Sequence, residues 1–207
     1  MRISEGDYND SVFINCPFDA EYQPLLRVII YTVYRCGFYP RSALAEDNGL
    51  QARLTKIEQL IENCRYGIHD ISRIELSPHG LPRFNMPFEL GIFFGARRFG
   101  DAVQKIKNVL VFERLKFSYQ QSLSDLNGID TKAHNNEPAQ AIRYIRDWLG
   151  SASRRKTIPG HLLIRKEFEL LRDKLPQIAA SLGFEEDAIP FNDYCFIVED
   201  AIREIAA

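Results

Sequence analysis

Cysteine is scarce and scattered in this chain of 207 residues. Cys16, Cys36, Cys64 and Cys195 form no CxxC pair, and His69, His79, His134 and His161 stand in unrelated segments. A zinc site and a disulfide-built scaffold are therefore excluded, and the four thiols are expected to be reduced core residues. No uncharged apolar run approaches the roughly 18 to 20 residues a membrane helix needs, because Arg27 and Arg35 bracket the best candidate. The opening MRISEGDYND is polar and acidic, unlike a secretory signal, so a cytoplasmic protein with no membrane partner is expected. Basic excess is also missing: 26 Lys and Arg stand against 28 Asp and Glu, a net charge of -2. A nucleic-acid partner is not expected on that balance. The one dense basic run, Arg154-Arg155-Lys156, reads as a solvated turn. GxSxG, P-loop and GxGxxG patterns are absent, which argues against acyl hydrolases, P-loop NTPases and ordinary dinucleotide dehydrogenases. There is no internal repeat, and neither a metal nor a cofactor is called for.

What is present, 45% hydrophobic and 26% charged residues, is the composition of an ordinary globular chain. Val12-Phe13-Ile14-Asn15-Cys16 is a β-prone run closed by Pro17. Tyr22, Leu25, Leu26, Ile29 and Val33 keep helical spacing, with Asp19 at an N-cap position and Gly37 as the stop. Residues 38–44 suggest a short strand that Pro40 demotes to an edge. A second amphipathic helix is predicted over 50–64, then a strand over 65–71, RYGIHDI. An irregular loop with Pro78, Gly80 and Pro82 leads to a third helix from Met86 to about residue 98. Val109-Leu110-Val111-Phe112 is apolar throughout, the mark of a strand covered on both faces. A turn over 125–130 precedes a short fifth strand, and helices follow over 138–149, 162–182 and 193–205.

This alternation predicts an α/β, flavodoxin-like, doubly wound and mostly parallel sheet of four or five strands. Helices should lie on both faces, with further helices at the C-terminus. The linker-like Ser151-Ala152-Ser153 run suggests an α/β domain over 1–150 and a 151–207 helical extension packed on it, the latter a candidate homo-oligomer or partner surface.

Open parallel sheets bind ligands beyond the carboxyl ends of their strands. Asn15, Pro17, Phe18 and Asp19 follow the first strand there, Arg41 and Asp47 the second, Asp70, Ser72 and Arg73 the third, and Glu113 the fourth. Asn85 and Glu89 open the third helix, whose N-terminus faces the same edge. Glu89 is the foremost candidate, with helix capping as the competing explanation. Gly91 and Gly95 in the same helix each cost roughly 1 kcal/mol against Ala, which a close approach of backbone or ligand, or simple helix–sheet packing, would explain. Asp70 is either a hydroxyl-binding or base group, or the cap of an Asx-turn. His69 points to the opposite strand face and reads as structural.

On three segments, VFINCPFD, YGIHD and NMPFELGIFFGA, the chain resembles the Rossmann-like superfamily of nucleoside 2-deoxyribosyltransferases and, more distantly, TIR domains. The resemblance spans about residues 12 to 113. It implies Glu89 as the catalytic carboxylate at the anomeric carbon and Asp70 as the sugar- or base-orienting residue. Pro17, Phe18 and Asp19 would line the pocket. The stretch before the glutamate, Arg83-Phe84-Asn85-Met86, departs from the Asp and Gly-Thr groups found in those transferases. The implied chemistry is N-glycosidic cleavage or transfer on a nucleoside, nucleotide or NAD-like molecule. Phe18 or Phe84 would stack on the base, and Arg41 or Arg73 would meet a phosphate. The rival is a nucleotide-binding sensor or interaction module of the same fold without turnover.

Overall fold

The computed structural model describes residues 7–45, 48–73 and 83–206. Its strands are β1 (Ser11–Asn15), β2 (Tyr39–Arg41), β3 (Tyr66–Asp70), β4 (Asn108–Glu113) and β5 (Lys132–Ala133). Its helices are α1 (Gln23–Arg35), α2 (Arg53–Glu62), α3 (Asn85–Phe99), α4 (Pro138–Ser153), α5 (His161–Leu182) and α6 (Phe191–Ala206). The described residues form two compact units, one running to Pro17 and resuming over Tyr39–Asn136, the other holding Phe18–Phe38 and everything from Glu137 on.

The first unit is built on one sheet of order β2-β1-β3-β4-β5, parallel at every pairing. This is the flavodoxin-like order, and it reverses between β1 and β3. All five residues of β1 and of β3 are buried, as expected of strands covered on both faces. Pro40 pairs with Val12 on the outermost strand, where its missing N–H costs no ladder bond.

Two apolar layers seat the unit's helices. Ile57, Leu60 and Ile61 of α2 pack with Cys64, Phe13 and Phe93, while Leu90 packs with Ile71, Val111 and Tyr119. Phe93 and Leu90 thus tie α3 into both, each worth about 1.5–3 kcal/mol when fully buried. Gly67 makes this possible, since a Cβ there would lie 2.8 Å from Phe93 Cε2 and 2.9 Å from His69 Nε2. Buried Lys107 closes the end of α2, donating from Nζ to the carbonyls of Ile61 and Cys64, both at 2.5 Å, with Nζ 4.8 Å from the Phe93 ring centroid. Burial pulls its ammonium down to about 8.

In the second unit Arg35 grips buried Glu167 with two bonds, Nε to Oε2 at 2.6 Å and Nη2 to Oε1 at 3.0 Å. Beside them the Tyr31 and Phe168 rings meet edge to face at 5.4 Å. Arg155 corrects the expectation of a solvated basic turn. Its guanidinium lies 4.2 Å from the Phe38 ring centroid and donates to the Gly37 carbonyl at 2.7 Å, so it covers the end of α1. The second predicted helix also begins later than expected. Asn48 Oδ1 accepts from Leu50 N at 3.1 Å in an Asx-turn, and Leu50 is fully exposed. All four cysteines are buried and none forms a disulfide.

Candidate active site

Asn15, the last residue of β1, stands beside the point where the strand order reverses. Its Nδ2 donates to His69 Nδ1 at 3.0 Å and to the Met86 carbonyl at 2.9 Å. One buried amide thus fixes the end of β3 and the first turn of α3 together. Because Nδ1 of His69 accepts, the ring proton resides on Nε2. His69 is completely buried in edge-on contact with Phe13 and Phe93, at 5.6 and 5.0 Å. Desolvation holds it down to about 3, so it is a neutral, structural ring, as its place on the strand suggested.

Glu89 is the fifth residue of α3, and no acidic side chain occupies the first turn. The unpaired helix amides lie in that first turn, so the capping explanation does not apply to Glu89. The side chain is buried, at 7% exposure, yet no hydrogen bond or ion pair reaches its carboxyl among the described residues. Burial raises its pKa from 4.5 to about 7, against the opposing field of Arg53 at the start of α2. A carboxyl that changes charge near neutrality is suited to proton transfer or to countering a developing cation.

Asp70 makes its own set of bonds. Its Oδ1 accepts from Ser72 N at 2.8 Å, closing an Asx-turn, and its Oδ2 faces His134 Nε2 at 2.9 Å. His134 Nδ1 accepts from Asn136 N at 2.9 Å, so Nε2 is the donor toward Asp70. Ser72 Oγ approaches that same Nε2 at 3.0 Å. A nucleophilic triad needs the serine and the aspartate on different ring nitrogens, so this group is not one. Asp70 and His134 have no exposed surface and Ser72 has 6%. These residues tie the end of β3 to the segment after β5.

The remaining candidates divide. Pro17 is buried; Arg41 and Arg73 are half-buried; Asn85 and Phe84 are exposed at the start of α3, next to Phe88, which is exposed as well. Glu113 is enclosed, accepting from Thr131 Oγ1 at 2.5 Å and Ser118 Oγ at 3.4 Å, so it braces β4 instead of lining the edge. Phe18 and Asp19 belong to the second unit, where Asp19 Oδ1 accepts from Tyr22 N at 3.1 Å just before α1. Asp47 lies outside the described residues, as do Pro78, Gly80 and Pro82. Gly91 and Gly95 do not serve close packing, because a Cβ at either would meet no atom within 4 Å.

Sequence reasoning passed over three participants: Asn15's role as anchor of α3, Arg53 as the charge acting on Glu89, and His134 as partner of Asp70. Only the parallel pairing of β5 with β4 brings His134 to Asp70, and that pairing involves just two residues per strand. Among the described residues no group of three or more His, Cys, Asp or Glu side chains is placed to hold a metal ion. No described helix is long and apolar enough to cross a membrane. Comparison with protein-family models, curated proteins and solved structures gave no significant match.

Proposed function

We propose that this protein cleaves or transfers an N-glycosidic bond in a nucleoside, nucleotide or NAD-like substrate, with Glu89 as the catalytic carboxylate. The observation that carries the reading is a buried carboxyl, raised to about 7, with no hydrogen bond from the described protein groups, one turn into the helix anchored at the strand-order reversal. Such a group is costly for folding alone, and perturbed carboxyls of this kind concentrate at functional sites.

In the reaction, the bond from the anomeric carbon to the base nitrogen breaks, and its electron pair leaves with the base. Positive charge grows on the sugar carbon. Ionised Glu89 opposes that charge or forms an ester to the carbon, most effectively where water is scarce. Water then adds its oxygen to the carbon, breaking the bond to Glu89 where an ester has formed and returning the carboxylate, and its proton goes to the departed base; in transfer, a second base takes the place of water. Asn15 acts as a positioning residue by holding the first turn of α3. Phe84 and Phe88, exposed on the same stretch, offer faces for a planar base.

The second reading, a nucleotide-binding sensor, draws support from Asp70. That residue is fully buried and already bonded to Ser72 N and His134 Nε2. The two readings separate when pure protein is incubated with NAD and a nucleoside panel and released base is measured by chromatography. The enzyme reading predicts release by wild type and a loss of about 100-fold or more in Glu89→Gln. No release by wild type, alongside ligand-induced melting shifts that Glu89→Gln leaves intact, would favour the sensor.

A further inference from the structure

The far end of α3 carries an open cleft of about 540 Å³ lined by Phe94, Arg97, Arg98 and Lys105. Arg97 lies eight residues beyond Glu89, about 12 Å along the helix, and Glu89 is not among the lining residues. Its volume falls within the roughly 300–1,000 Å³ of small-molecule sites.

The three cations reach the cleft from two segments. Arg97 and Arg98 occupy the last turn of α3, where basic residues are favoured by the helix dipole. Lys105 has no such explanation. It comes from the next turn, Gln104–Ile106, which Asp101 organises by accepting from Gln104 N on Oδ1 at 2.9 Å and from Lys105 N on its carbonyl at 3.1 Å. Gly100 permits the fold-back, since a Cβ there would lie 2.4 Å from the Ala96 carbonyl oxygen and 2.7 Å from Gln104 Cβ. Among the described residues, none of the three side chains forms an ion pair or hydrogen bond. Three like charges lining one cleft make it electropositive and favour an anion there. Phe94 supplies an aromatic lining, and Phe99, Val103 and Ile106 are exposed on the adjoining surface at 85, 49 and 48%.

We propose that this cleft binds a small phosphorylated ligand of nucleoside di- or triphosphate type, with its phosphates on Arg97, Arg98 and Lys105 and its planar apolar part against Phe94. The guanidiniums match phosphate oxygens in paired geometry, and the lysine adds a point charge. The site goes beyond the glycosidic reading and stands whether or not Glu89 is catalytic.

The test is calorimetric titration of the full chain with inorganic triphosphate, ADP and ATP, and separately with a short single-stranded oligonucleotide. Saturable triphosphate binding is expected, tighter for ADP and ATP, weakening as salt rises. Arg97→Gln, Arg98→Gln and Lys105→Gln should each reduce affinity several-fold, and the triple variant by at least 10-fold. All three are surface residues, and an unchanged melting curve confirms that the variants fold. Glu89→Gln should bind triphosphate like wild type, which keeps this test independent of turnover. The proposal is overturned if triphosphate and ADP fail to bind at millimolar concentration, or if the triple variant binds them unchanged. It is equally overturned if only the oligonucleotide binds, which would make the cleft a nucleic-acid surface.

Discussion

Replacing Glu89 by glutamine should make the protein more stable, but only where the carboxyl would be charged. The folded-state pKa lies above the ordinary 4.5, at about 7, because burial disfavours the carboxylate. Between these values the native state holds more protons than the unfolded chain, so this group's contribution is fully present below 4.5 and is lost as pH rises through 7. The full shift would correspond to roughly 3 kcal/mol, and solvent screening of a group with some access to water reduces this to about 1–2 kcal/mol. Glutamine keeps the shape without the charge. At pH 8 it should therefore raise stability by about 1–2 kcal/mol, or roughly 2 to 8 °C in melting temperature for a chain of this size. At pH 4.5 the two proteins should melt together. The assay is urea or thermal unfolding followed by circular dichroism across pH 4.5 to 8.5. A variant less stable than wild type at pH 8, or a difference constant with pH, would show that the carboxyl is engaged in the fold and refute the reasoning.

Further predictions concern the groups around it. If Glu89 acts as a carboxylate, base release should rise with pH through an apparent pKa near 7; a rate falling over the same interval would assign it the opposite protonation state. His69, held down to about 3 inside the sheet, should cost stability on acidification. Its folded pKa is depressed from 6.5, so stability is lost as pH falls from 6.5 toward 3, by up to roughly 4–5 kcal/mol. His69→Phe should flatten that limb of the pH–stability curve. Gly67→Ala would push a methyl into Phe93 and His69 and should destabilise by about 1–3 kcal/mol in urea unfolding, whereas Gly91→Ala, which meets nothing, should stabilise slightly. His134→Ala should destabilise by about 2 kcal/mol by leaving Asp70 Oδ2 short of a donor, without altering the pKa of Glu89.

The sheet was legible because each strand announces itself through apolar content and closing residues. VFIN ends at Asn15 before Pro17, YGIHD ends at Asp70, and the VLVF run accepts burial on both sides. Pro40 even marked the edge. The position of Glu89 early in the third helix was legible too. Less accessible was the fate of Asp70. A strand-end aspartate looks the same whether it meets a ligand or a histidine more than 60 residues later, and the His134 partnership exists only because a two-residue strand pairs with β4. Arg155 misled for a related reason. A basic run in a polar stretch reads as solvated, while its guanidinium packs on Phe38, a contact that sequence spacing does not encode. The fit of α3 against the sheet also rests on Gly67, a strand glycine that carries no functional signature of its own.

The proposed chemistry depends on one ionisation, that of Glu89. Carbon-detected NMR of protein labelled at the glutamate carboxyl, assigned by comparison with Glu89→Gln, measures it directly. A resonance titrating near pH 7 and absent from the variant is predicted; titration of Glu89 at or below 4.5 would contradict a desolvated catalytic carboxyl.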